Sequence, residues 1–437
     1  MARKPASKRK RAIFEDVGAA APPPAARVAP TGVIDARPGA TRAGQGLLRL
    51  WFVVVSVLVL AVLLAQSFLR LSAPDLAAAL WSAPLSLMPP ADAAAWAAEM
   101  ARHVPRPVLP PLPSLPALGG PGTLVVPAEP AMTLDTFRPL WWAGWGQALG
   151  AVSALGLMVL GWPILALAGK LPKGLGGRLS LVLALLLGLA LLALGGTLGL
   201  LEAPVARLAA QAGLPADLGL SQWPLWPGFD AIISAVQPWL ATASAAGTAA
   251  VFTLLVGPAL LRGRADVALL QARRMGERGL ARWAGAAGWL LAATLVLGVH
   301  LTGLAGLPAS ADWPRMNGAF VPPEVLALPQ AGLAGLADPV VLAFGHRALG
   351  YLVVLVALAG WLVARRSVHP VTRGAFLVMA LGALLQASLG VLGALRPDLA
   401  PLPLVHLAAG FALLALVLRA RIFALYPAVQ SIRGRRR

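Results

Sequence analysis

Apolar residues run along this chain in long, nearly unbroken stretches, set apart by short basic loops and one long Pro-rich segment. Eight stretches reach the ~20 residues that cross a hydrocarbon layer roughly 30 Å thick: 47–69, 140–168, 178–201, 229–261, 282–306, 339–364, 372–395 and 402–424. They are continuous in Leu, Ala, Val and Gly rather than alternating apolar with polar, so the pattern predicts membrane helices and not the strands of a β-barrel. The expected fold class is all-α and polytopic, with eight transmembrane helices.

The segments between the stretches carry the topology. Residues 1–46 are basic and rich in Pro and Ala, a composition expected to stay disordered. The run "KRKR" at Lys8–Arg11 reads as a cytoplasmic anchor, and the first apolar stretch starts too late and is too long for a signal peptide. Basic residues recur in alternate loops: Lys170, Lys173 and Arg178; Arg262, Arg264, Arg273, Arg274, Arg278 and Arg282; Arg365, Arg366 and Arg373; and the C-terminal "RGRRR". The other loops mix signs, as Arg70, Arg102 and Arg106 do with Asp75, Asp92, Glu99 and Glu129. Positive loops lie inside, which puts both termini in the cytoplasm. The long outer segment, 70–138, contains "PRPVLPPLPSLPALGGPG", expected to be extended. Its Trp81 and Trp96 lie in Ala-rich amphipathic pieces expected at the membrane surface. The domains expected are the tail 1–46, a first four-helix half over 47–262, a basic linker over 263–281, a second half over 282–424 and a basic tail over 425–437.

Composition agrees. The chain of 437 residues is 58% hydrophobic and only 12% charged, against about a quarter charged in soluble domains. Its net charge of +19 would suit nucleic acid, but the cations sit in tails and short loops, where they set orientation and meet anionic lipid. Nucleic acid is therefore not an expected partner, and membrane lipid is. The chain has no cysteine, which excludes disulfides, thiolate metal sites, cysteine nucleophiles and c-type haem attachment.

The two halves repeat one another. "GWGQALGAV" at Gly144–Val152 matches "FGHRALGYL" at Phe344–Leu352, each opening the second span of a half. "ATASAAG" at Ala241–Gly247 matches "PLVHLAAG" at Pro403–Gly410, each early in a fourth span. In register, His346 faces Gln147 and His406 faces Ala243. Four spans per half give parallel repeats, hence two pseudo-symmetric four-helix bundles. A transporter would favour inverted repeats with broken helices and midplane charges, which this sequence does not show.

Of five histidines, His103 in the outer segment and His369 beside Pro370 read as surface residues. His300, in "LVLGVHLTG", reads as a packed histidine bonded to a carbonyl or, less simply, as a ligand. His346 and His406 stand out. The first lies ~12 Å and the second ~6 Å inside its span at 1.5 Å per residue, below the same membrane face. Ionisable residues in spans face the bundle interior and mark function. Two imidazoles at matched depth suit axial ligation of a haem iron, whereas zinc would want three or four ligands. The alternative is that each packs on a polar neighbour. Arg347 either meets a haem propionate or reaches the interface by snorkelling.

At these residues the chain resembles the heme A synthase family, in the branch without the outer cysteine pair. "FGHRALGYL" resembles its sixth-span His-Arg motif, "LVHLAAG" its eighth-span His, and "ADWPRMNGAFVPP" at Ala311–Pro323 its Trp-Pro-x-Met-x-Gly-x-x-x-Pro loop. "LRLSAPDLAAALWSAPLSLMPPADAAAW" and "MTLDTFRPLWWAGWG" resemble the segments after the first span and before the second. The resemblance implies haem b as cofactor, with His346 and His406 as axial ligands of its iron, and oxidation of a ring methyl of heme O to the formyl of heme A for cytochrome oxidase. It implies the bacterial inner membrane as location. Its implied partners are the heme O synthase that supplies the substrate and oxidase assembly factors, with self-association left open. Where the family's second span reads Trp-Glu-Trp-Gly-His-Arg, this chain reads Ala143-Gly144-Trp145-Gly146-Gln147-Ala148. Gly144 thus stands at the catalytic carboxylate position, and Gln147 and Ala243 at the substrate-side histidines. The family's Gly-Gly near the end of span one reads Gln66-Ser67, Arg70 is kept, and an Arg at the fifth-span exit reads Ala305. Two readings follow. One is a divergent heme A synthase with Gln147, Trp145, Trp142 and Arg70 around the substrate. The other is a non-catalytic haem-b-binding paralogue serving haem relay or oxidase assembly.

Overall fold

A computed structural model of the chain describes residues 42–72, 88–103, 132–167, 182–184, 186, 229–261, 266–305, 312–331, 338–399 and 401–428. These all fall in the unit Arg42–Arg437. Among the described residues the regular structure is helical: α1 (Arg42–Ser72), α2 (Ala93–His103), α3 (Leu134–Leu167), α4 (Phe229–Leu261), α5 (Asp266–Arg274), α6 (Arg278–Ala305), α7 (Pro339–Ala364), α8 (Pro370–Leu395) and α9 (Leu402–Leu425), with two single turns at Pro323–Leu326 and Leu328–Ala331. Six of these helices are long and apolar enough to cross a membrane, so the chain is an integral, polytopic helical membrane protein. The N-terminal tail, the Pro-rich stretch of the outer segment and most of the expected third span lie outside the described residues.

Proline sets where the last three helices begin. A proline occupies the first turn of α7, α8 and α9, where its missing N–H is one of the groups a helix leaves unpaired. At α7 the Asp338 carboxylate completes the start by accepting from the Val340 and Val341 amides at 2.8 and 3.3 Å, an N-cap.

The helices α6 to α9 close a ring in which α6 packs on α7, α7 on α8, α8 on α9 and α9 on α6. Their shared core alternates small residues (Ala284, Ala287, Ala357, Ala383, Ala420) with Phe376, Met379, Phe411 and Leu414. Small residues let membrane helices approach closely enough for dispersion to hold them, since lipid gives no hydrophobic drive. On the other side α1 packs on α3 and α4 around Phe52, Val55, Met158 and Leu255. The two groups meet where α4 lies on α6 and α9, with Phe252 edge-on to Phe411 at 5.3 Å between ring centres.

The basic ends of the last four helices are tied by Glu277. Its amide donates to the Ala424 carbonyl at 2.7 Å, and its carboxylate accepts from the Ser367 hydroxyl at 2.7 Å. The Ser367 oxygen in turn accepts from the His369 amide. His369 is buried, at 9% exposure, which corrects the surface reading: the turn that begins α8 folds it under the α7–α8 connection.

Candidate functional site: an imidazole pair in the α6–α9 ring

His346 on α7 and His406 on α9 point into the middle of the ring, their ring centres 6.2 Å apart and their planes at 70°. Glycines on the preceding helices make room for both. A Cβ at Gly298 on α6 would lie 2.8 Å from His346 Cε1, and one at Gly390 on α8 would lie 3.1 Å from His406 Cε1. Each histidine is thus received by a glycine of the helix that precedes its own.

Hydrogen bonds orient the pair. His346 Nδ1 donates to the Thr294 carbonyl on α6 at 3.0 Å. A proton held at Nδ1 leaves the Nε2 lone pair for a metal. Beside His406, Gln386 on α8 donates through Nε2 to the His406 carbonyl at 3.0 Å, with the same nitrogen 3.4 Å from the ring Nε2. Gly410 admits that amide, since a Cβ there would lie 3.2 Å from it. His406 Nδ1 and Gln386 Oε1 are buried without a hydrogen-bond partner.

The pair lines a cavity of about 410 Å³ whose walls include Arg347, Trp313, Tyr351 and Gln386, and which reaches Ser67 and Leu71 of α1. That volume is in the range of pockets for cofactor-sized ligands. The loop 312–319 borders it through Trp313. There the Asp312 carboxylate accepts from the Gly318 and Asn317 amides at 2.8 and 3.0 Å, holding a turn in which Asn317 and Gly318 take φ of 51° and 80°. The Gly318 amide, above the other contacts, holds the Asp312 carboxyl below the usual carboxylate range. Arg347 Nη1 donates to the carbonyls of Asp312 and Arg315 at 3.2 and 3.0 Å, and Trp313 donates to the Tyr351 hydroxyl at 2.9 Å. Arg347 therefore ties this loop to α7 beside the cavity, a role that neither expectation for it contained.

The donor set fits a haem. Two imidazoles sharing an iron hold their ring centres roughly 6 Å apart, from metal–nitrogen bonds of ~2 Å and about 1 Å more from each nitrogen to its ring centre. The observed 6.2 Å meets that, the cavity is largely apolar, and a buried His406 ring nitrogen has no hydrogen-bond partner. Among the described residues no cluster of three His, Cys, Asp or Glu could hold a metal ion by itself.

The residues expected around a substrate in the first half do not converge in this way. Trp142 and Trp145 on α3 join Trp141 and Trp96 in an aromatic cluster, with ring centres 5.1 Å apart for Trp96–Trp141 and 5.6 Å for Trp142–Trp145. Gly144 and Ala148 are buried, Gln147 and Arg70 half-buried and Ala243 exposed. Next to Ala243, the Thr242 hydroxyl is hydrogen-bonded to His300 Nδ1 across the α4–α6 contact. His300 is buried, and this bond is to a side chain.

The outer segment also departs from its expectation. His103 is buried at 2% exposure, not solvated. It lies over Phe137 and 3.3 Å from the Glu99 carboxylate. That carboxylate also accepts from Trp141 Nε1 at 2.9 Å and pairs with Arg102 at 2.7 Å. Trp96 packs on α3, because α2 folds back onto it, and Trp81 lies outside the described residues. The i, i+4 spacing of Glu99 and His103 was the available signal. For Gly298, Gly390, Thr294 and Gln386 no comparable signal exists in Gly- and Ala-rich helices.

The fold and this site define a membrane-embedded helical protein with two histidines lining one mostly apolar cavity inside a four-helix ring. Comparison with known proteins gives the family. A family model described as cytochrome oxidase assembly protein (COX15-CtaA) matches residues 121–418, and the chain belongs to that family. It is similar to the heme A synthase of Paracoccus denitrificans, 29% identical with 97% of this chain and 99% of the relative covered. To that of Cereibacter sphaeroides (strain ATCC 17029) it is 30% identical, with 97% and 98% covered. To that of Dinoroseobacter shibae it is 31% identical, with 98% and 99% covered. No solved structure matches it.

Proposed function

We propose that this chain is a heme A synthase, oxidising a ring methyl of heme O to the formyl group of heme A for cytochrome oxidase. Haem b is its cofactor, with His346 and His406 as the axial ligands, and so held it supplies one-electron redox chemistry beside the substrate half. The full fold is two four-helix bundles of eight spans, set in the bacterial inner membrane with both termini in the cytoplasm and the loop 312–319 on the outer side. The observation that carries this reading is the imidazole pair, its rings 6.2 Å apart over two glycines. Near end-to-end similarity to heme A synthases supports it. Trp142, Trp145, Gln147 and Arg70 would form the substrate pocket. Heme O synthase and oxidase assembly factors are the partners this activity calls for.

One observation favours a second reading. Gly144, Gln147 and Ala243 provide no carboxylate and no imidazole in the first half. A proton acceptor and an axial ligand for a second haem would have to come from elsewhere. A haem-b-binding protein without turnover, acting in haem relay or oxidase assembly, satisfies the same C-terminal site. Expression in a host that lacks its own heme A synthase but makes heme O separates the two. Heme A in the extracted pigments supports the enzyme. Purified protein carrying haem b, with no heme A formed, refutes the enzyme and supports the second reading.

A further inference from the structure

The cavity that holds the imidazole pair has two cationic wall residues, Arg347 and Arg396, and they are engaged very differently. Arg347 is committed to carbonyls of the loop 312–319. Arg396 follows the last residue of α8 and pairs with Asp398, its Nε and Nη2 donating to the two carboxylate oxygens at 2.8 and 2.6 Å. Arg396 lines the cavity wall, and both partners are exposed, at 54% and 59% of their side chains. Asp398 engages Nε and Nη2 and leaves the remaining guanidinium nitrogen, Nη1, outside this pair. An exposed ion pair adds little stability, so another carboxylate can take Asp398's place with little loss. Arg396 is also at a useful height. It lies six residues beyond Gly390, which touches the His406 ring, or roughly 9 Å along the helix axis. The cavity wall between them is apolar, formed by Val391, Gly393 and Ala394.

We propose that Arg396 anchors a carboxylate of the haem held by His346 and His406, and that Asp398 is the exchangeable counter-ion holding the guanidinium in place until the haem arrives. The inference rests on the haem reading of the imidazole pair. A haem is apolar over most of its surface and carries its two carboxylates on one edge. With its iron between the histidines, that edge can lie toward Arg396, across the apolar wall of Val391, Gly393 and Ala394. The planar fork of an arginine suits two-pronged binding of a carboxylate, and Asp398 already demonstrates that geometry at this side chain.

The test uses the full chain in detergent or nanodiscs, purified from haem-starved cells and titrated with haem b or with its dimethyl ester, whose carboxylates are capped. The parent is expected to prefer haem over the ester by about tenfold or more, the range for a hydrogen bond between charged groups. Arg396→Gln is expected to lose that preference while keeping the low-spin absorption that His346 and His406 impose. Asp398→Asn is expected to bind haem more tightly than the parent and the ester equally well. A preference that survives in Arg396→Gln overturns the proposal, as does an Asp398→Asn variant that weakens haem as much as Arg396→Gln does. If the parent gives a low-spin spectrum that depends on His346, yet makes no distinction between haem and ester, only the Arg396 role fails. If the parent binds neither with such a spectrum, the haem reading itself fails.

Discussion

Gly298→Ala puts one methyl group against the ring that matters most. Its Cβ would lie 2.8 Å from Cε1 and 3.1 Å from Nδ1 of His346, where carbon atoms rest ~3.5–4.0 Å apart. The ring must therefore retreat by roughly 0.7 Å or more. It cannot do so freely, because Nδ1 is bonded at 3.0 Å to the carbonyl of Thr294, one turn earlier on the same helix as the new methyl. Overpacking of this kind costs about 1–3 kcal/mol, offset by ~0.5–1 kcal/mol from replacing a helical glycine. Where about 1.4 kcal/mol of the overpacking falls on the ligand-bound geometry, haem retention weakens about tenfold. Gly390→Ala, with 3.1 Å to His406 Cε1, should act in the same direction and less. Gly374→Ala, with nothing within 4 Å, is the control and should be neutral or slightly stabilising. The assay is the haem-to-protein ratio and low-spin absorption of purified protein after dialysis against a haem acceptor. If Gly298→Ala retains haem as well as Gly374→Ala does, the packing of His346 on Gly298 is not what positions the ligand.

Other outcomes follow from the same contacts. Asp312 titrates below the usual carboxylate range because it accepts from the Gly318 amide. Its contribution to loop order is thus complete above the ordinary carboxylate pKa and is lost as pH falls through the lowered value; Asp312→Asn should show at neutral pH the Trp313 fluorescence that the parent shows only in strong acid. Glu99→Ala leaves Trp141 Nε1, at 0% residue exposure, without its acceptor, and should destabilise the α2–α3 packing by about 1–3 kcal/mol; an unchanged thermal midpoint would refute that bond. His300→Ala should keep the low-spin haem spectrum, since its Nδ1 is engaged with Thr242; loss of the spectrum would add His300 to the ligand set.

Legibility in the sequence followed the physics of each signal. The last three spans were read at 339–364, 372–395 and 402–424 and occur as Pro339–Ala364, Pro370–Leu395 and Leu402–Leu425, because prolines in their first turns mark the starts as well as hydropathy does. The first two spans were read short: α1 and α3 extend to Arg42–Ser72 and Leu134–Leu167. Hydropathy marks the part of a helix that lies in lipid, whereas backbone hydrogen bonds carry the helix on through Arg70 or Arg138. The imidazole pair was legible because lipid penalises polar groups, so two of them at one depth invite a joint explanation. The cradle was not, because a glycine that receives a ring looks like any other glycine in a run such as "LVLGVHLTG". Burial of His103 depends on α2 folding back so that Glu99 meets Trp141, 42 residues away in sequence, and no local pattern encodes that return.

The central claim is that His346 and His406 share one iron. Its most direct measurement is electron paramagnetic resonance of the purified, oxidised protein beside His346→Ala and His406→Ala, with haem content determined on the same samples. Shared ligation predicts a low-spin ferric signal in the parent that is lost in each single variant. A low-spin signal that persists unchanged in either variant would contradict it.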